Sequence, residues 1–218
     1  IASYLFKQNI EIYWIVQNHN FTPKIGSVYQ IPYPMSCDMI KNSKNELFRY
    51  TASTDRLVNY FKGGVDHYNY YYDCILANID HIDPDVIIGE ATLFHEIIIS
   101  KIAEQKKILH LNPCGIAYPP GRFSFFLWDS SQTAGLSNET LKESECNELI
   151  NMISTSAIIP SYIICNKQAE NKLDAMANSL SYKFKTLKPY LFGERYNTPS
   201  PIKKILKDIY TKKTLKKW

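Results

Sequence analysis

Short apolar runs, each handing over to a segment of helical period, constrain this chain more than any other feature. IEIYWIVQ (10–17), the Val86–Gly89 stretch inside DVIIGEA (85–91), KKILHLNP (106–113) and IIPSYIICN (158–166) are runs of strand length. Such runs suit strands covered on both faces. Between them lie VDHYNYYYDCILANIDH (65–81), LFHEIIISKIAEQ (93–105) and KQAENKLDAMANSL (167–180), which read as helices. Strand, helix and strand recur at roughly 25-residue spacing, which predicts a parallel sheet with crossover helices.

The remaining segments fit around that pattern. IASYLFKQ (1–8) reads as the last turns of an amphipathic helix, and SVYQIPYP (27–34) as a short strand closed by prolines. Residues 45–62 have helical period, with Phe48, Leu57, Val58 and Phe61 toward a core. In the helix from 65 to 81, positions 68, 71, 72 and 75 share one face, as core packing requires. Asp83-Pro84 ends that helix. Residues 114–135 read as a long Gly/Pro/aromatic loop. A helix follows over 138–154, with Ser137 as its cap and Thr140 and Glu143 as a local capping pair. YKFKTLKPYLFG (182–193) reads as a final strand, ERYNTPSP (194–201) as a linker, and a Lys-rich helix closes the chain.

Charge narrows the partners. The 218 residues carry 25 Lys+Arg against 21 Asp+Glu, a formal net of +4. Residues 202–218 alone hold seven Lys and one Asp, a net of +6. The other 201 residues hold 18 basic and 20 acidic groups, a net of −2. A slightly acidic body argues against nucleic acid as a partner. The basic tail suits contact with an anionic membrane surface, but Ile202, Ile205, Leu206 and Ile209 point rather to a helix docked on the protein. No run is long and apolar enough to span a bilayer. The five cysteines are scattered, without a CxxC or a Cys/His cluster. That pattern suits free thiols in the cytoplasm. The pairs His67/His81 and His95/Glu96 lack a third ligand at zinc spacing, so no metal site is expected.

Four blocks, in order, carry a resemblance to a known family: IASYLFKQNIEIYWIVQ, DPDVIIGEATLFHEIIISKIAEQKKILHLNP, SYIICNKQAENKLD and FKTLKPYLFGERYN. Together they resemble the N-terminal, acceptor-side half of GT-B glycosyltransferases, the inverting enzymes that use UDP- or TDP-sugars. The likeness covers most of residues 1–201. It implies a Rossmann-like, doubly wound, mainly parallel α/β sheet with helices on both faces. Residues 1–193 would be that domain without its first strand, which would precede Ile1. Residues 194–218 would be the linker and Lys-rich helix leading to a C-terminal domain that binds the nucleotide-sugar. No cofactor is implied, since the nucleotide-sugar is a co-substrate. A nucleotide-sugar 2-epimerase, or a non-catalytic subunit of a two-component transferase, would share the same architecture.

The resemblance also assigns residues. Glu90 follows the Val86–Gly89 strand, at the edge where open α/β sheets bind ligands. In the family an Asp at this place orients a catalytic His, and a carboxylate so placed fixes the tautomer and stabilises the imidazolium. The base itself would lie in the loop before Ile1. Glu is a departure, one methylene longer than Asp, and the alternative is a helix N-terminal acid near the positive end of the dipole. His19, His95, Tyr118, Arg122 and Phe123 are the candidate acceptor contacts. The last three lie in the loop after 112, whose Phe125 and Phe126 add aromatic wall for a small-molecule or lipid-linked acceptor. A solvated or core-edge role is the alternative for His95, a solvated loop residue for His19, and a packed surface loop for the aromatics.

Overall fold

The computed structural model describes residues 2–40, 45–116, 122–135, 140–155, 187, 190, 191, 196 and 200–215. Besides a 3-10 turn at Ser36–Asp38, these residues hold the elements α1 (Ala2–Lys7), β1 (Tyr13–Val16), β2 (Ser27–Gln30), α2 (Glu46–Thr54), α3 (Arg56–Phe61), α4 (Tyr68–Ile82), β3 (Val86–Ile88), α5 (Phe94–Lys106), β4 (Leu109–Ile116), β5 (Arg122–Leu127), α6 (Glu143–Ser154) and α7 (Pro201–Leu215). The fold is α/β with two small sheets. β1 and β2 pair in parallel, with Tyr13 opposite Ser27. β3 and β4 also pair in parallel, with Ile87 opposite His110, and β4 pairs antiparallel with β5.

The core forms where α4 and α5 lie against the strands. Tyr68, Tyr71, Ile75 and Ile79 of α4 and Phe94, Ile98 and Ile102 of α5 are buried in one cluster, joined by Ile31, Leu47 and Phe48. Ile15 of β1 and Ile87 of β3 pack against it. The rings of Tyr68 and Phe94 stack with centroids 5.2 Å apart. Three of the four face positions expected in α4 are thus fully buried, and Tyr72 is half-buried. The opposite face of the second sheet carries Val86, Ile88 and Leu109, each 40–44% exposed.

Helix ends follow local chemistry. Asp83 turns left-handed at the end of α4, its N–H bonding the Ile79 carbonyl, and Pro84 cannot continue the helix. Asp55 divides the helix expected over 45–62: it ends α2, and its carboxylate accepts from Leu57 N–H to start α3. The segment entering β2 needs its glycine. Gly26 has φ +89°, and a Cβ there would lie 2.4 Å from the Ile12 carbonyl oxygen.

Several sequence expectations are corrected. Residues 114–135 are not one long loop, because 109–116 and 122–127 form an antiparallel pair. The second sheet is therefore mixed. Arg122 and Phe123 lie on a strand, opposite Ile116 and Gly115. The strand expected over 27–34 stops at Gln30, and the helix expected from 65 starts at Tyr68. α6 is capped by Glu145, which accepts from Lys142 N–H at 2.8 Å, and not by Thr140 with Glu143. Leu187, Tyr190 and Leu191 are helical where a strand was expected. Ser137, the strand at 158–166 and the helix at 167–180 lie outside the described residues.

Candidate functional site

The carboxyl end of β1 and the first turns of α4 and α5 meet at one edge of the core. A cavity of about 260 Å³ opens there, lined by Ile15, Gln17 and Asn18 from β1 and its exit, Tyr71 and Ile75 from α4, and His95 from α5, among others. Apolar walls with a few convergent polar groups are the usual make-up of a small-molecule site. Gln17 Nε2 donates to the Tyr71 hydroxyl at 2.5 Å.

His95 is the chemically distinctive group of this cavity. It sits one residue into α5, and its Nδ1 is buried without a hydrogen-bond partner. Burial pushes its pKa below the ordinary histidine value, against the pull of Glu96 and Asp55. A neutral imidazole with an unused nitrogen can accept a proton or hold a hydroxyl. Glu96, its neighbour, is committed elsewhere. Its carboxylate accepts from Thr92 N–H, Thr92 Oγ1 and Leu93 N–H at 3.0, 2.9 and 2.8 Å, closing the start of α5.

The other expected residues are spread along the molecule. Glu90 is exposed just beyond β3 and does not line the cavity; Thr92 Oγ1 reaches it at 3.5 Å. His19 is exposed, with Nδ1 against the Gln30 side-chain amide and its ring edge-on to Tyr33 at 5.7 Å. Phe123 is 58% exposed and packs its ring against Phe125 at 5.3 Å. Arg122 lies at the start of β5, opposite Ile116, and Tyr118 lies outside the described residues. The structure thus brings His95 together with Gln17, Asn18 and Tyr71, and leaves Glu90, His19 and Phe123 apart from them. Among the described residues, no group of three or more His, Cys, Asp and Glu is arranged to hold a metal ion.

Two buried histidines carry no signal in the sequence. His67 precedes α4, is 2% exposed, and its Nε2 has no partner. It borders a second cavity, of about 290 Å³, formed with Phe61, Lys62, Gly63, Asp66 and Lys203 among others. Burial lowers its pKa to about 4. His110 on β4 is fully buried with both ring nitrogens unpartnered, and burial lowers its pKa too. His110 inside an apolar run reads as any core residue, and His67 in VDHYNYYY reads as a helix-start polar residue, so only packing reveals the burial of these two.

The described elements define the chain as an α/β protein with a cavity at a strand end. No family model, curated protein or solved structure matches it.

Proposed function

We propose that this chain is the acceptor-side half of a GT-B glycosyltransferase that moves a sugar from a nucleotide-sugar to an acceptor hydroxyl with inversion. The observation that carries the reading is the cavity at the carboxyl end of β1, where His95 presents an unpartnered imidazole nitrogen beside Gln17 and Asn18. Ligand sites of doubly wound sheets lie at that end. On this reading the acceptor hydroxyl enters the cavity and bonds His95. Glu90 orients a base supplied by the segment ahead of α1, and the donor comes with a C-terminal domain.

The sheet arrangement supports the same reading. Among the described residues β1 pairs with β2 alone, and β3 with β4 alone on that side, both in parallel. In a doubly wound sheet the strand leading into α1 lies between β1 and β3, which joins the two sheets into one. α1 is then its crossover helix, and its outward Tyr4 and Phe6 await a covering face.

The test is a donor screen on the full gene product, reading nucleotide release from UDP- and TDP-sugars with and without candidate acceptors. Acceptor-dependent release is expected. Glu90→Gln should lower kcat about a hundredfold, within the usual range for acid–base partners, while His95→Ala should raise the acceptor KM more than it lowers kcat. Nucleotide-sugar epimerisation without an acceptor, or an unchanged kcat in Glu90→Gln, would overturn the assignment.

A further inference from the structure

The C-terminal helix α7 is mounted inside out. Its apolar residues Ile202, Leu206, Ile209 and Tyr210 recur at i, i+4, i+7 and i+8, one face of a helix. They are 70, 61, 48 and 66% exposed. The half-buried side instead holds Lys204, Lys207 and Thr211, with Ile205 at its margin. Lys207 lays its ammonium 4.2 Å from the centre of the Tyr60 ring. The helix start is fixed as well, with Ser200 Oγ accepting from Lys203 N–H at 3.2 Å. A helix docked for stability would bury Ile202, Leu206 and Ile209 and leave its lysines in water.

We propose that α7 is an interfacial anchor whose outward apolar face enters an anionic lipid surface. Charge decides the occupant. The last 17 residues carry seven Lys and one Asp, while the other 201 residues carry a net −2. Attraction to anionic headgroups is therefore concentrated on an element that also exposes an apolar stripe. Lys203, exposed beside that stripe at the rim of the cavity next to His67, is the lysine a headgroup phosphate would meet. With Lys203, Lys204, Lys207, Lys212, Lys213 and Asp208 along it, the helix is too charged to span a bilayer, so it lies in the interface plane. The inference is independent of the glycosyltransferase reading.

The test is co-sedimentation of chain 1–218, and of the full gene product, with vesicles of phosphatidylcholine alone or mixed with phosphatidylserine. Binding to the mixed vesicles is expected, with release as salt is raised past ~0.15 M and the screening length falls below about 8 Å. Lys203→Ala should weaken partitioning about fivefold, the effect of one lysine near an anionic surface. Leu206→Glu should weaken it tenfold or more, with the urea midpoint unchanged because the side chain already faces out. Leu206→Trp gives an independent reading, its emission shifting to the blue only with the anionic vesicles. Equal binding to neutral vesicles, or no binding, overturns the proposal. So does a dimer lost in Leu206→Glu, which would make a second copy the occupant. A Leu206→Cys thiol shielded from maleimide in the full gene product without lipid would do the same, since the protein itself then covers the face.

Discussion

Protonating His67 would place a charge among Tyr68, Tyr71 and Phe94, whose rings meet the imidazole at 4.9, 6.1 and 4.8 Å. Its folded pKa of about 4 lies below the ordinary value of 6.5. Between those values the unfolded chain binds more protons than the folded one, so stability rises with pH across that window. The contribution is whole above about pH 6.5 and is lost as pH falls toward 4, amounting to about 3 kcal/mol. His95 and His110 are shifted in the same direction by the same cause. Urea midpoints are expected to fall steadily from pH 7.5 to pH 4.5, and His67→Phe to shallow that fall. A flat profile in the unmodified chain would show that these imidazoles are not buried as described.

At the scale of elements, the chain before β2 relies on a backbone that only glycine adopts easily. Gly26 combines φ +89° with the Ile12 carbonyl at 2.4 Å from a Cβ position. The next residue, Ser27, donates its N–H to that same carbonyl at 2.9 Å, the bond that opens the β1–β2 pairing. Nearby, Trp14 Nε1 donates to Ile25 O at 2.7 Å, so the approach cannot simply swing away. Gly26→Ala is expected to cost about 2 kcal/mol, combining the strained conformation and the clash. Chemical denaturation measures it, and a cost within error of zero would mean the Ile12–Ser27 connection gives freely. The β4–β5 pair is held differently. Burial tends to raise the Asp129 carboxyl, but hydrogen bonds from Tyr50 and Lys101 hold it below its usual range. Those bonds, at 2.5 and 2.9 Å, tie the turn after β5 to α2 and α5.

Among the described residues, the sheets and α7 leave apolar surface uncovered. Val86, Ile88 and Leu109 form an open face on the second sheet, and β1 and β3 each have an edge without a strand partner among the described residues. Unpaired parallel edges beside exposed apolar side chains invite pairing between copies. Chain 1–218 is therefore expected to associate reversibly at micromolar concentration in sedimentation velocity. Ile88→Lys should reduce that association, and Leu206→Glu should not, because the two surfaces are separate. A monomer for the unmodified chain throughout that range would sink the idea.

Hydrophobic period alone determined the helices around 68–82 and 94–106, the strands around 13–16, 86–88 and 109–113, and the buried side of α4. Each of those depends on neighbours within one or two turns of chain. Asp83-Pro84 was legible for the same reason, since capping is local. Tertiary contact decided the rest. FSFFL reads as part of a Gly/Pro/aromatic loop, and it became β5 because β4 offered a free edge for antiparallel bonds. His95 was visible as a candidate, but its orphaned Nδ1 exists only because β1, α4 and α5 close around it. His67 and His110 are buried by packing that no local pattern records. The stripe Ile202–Leu206–Ile209 was equally plain in the sequence, and only the fold showed that it faces away from the protein. Periodicity fixes which residues share a face; which way that face turns depends on what the other elements leave uncovered.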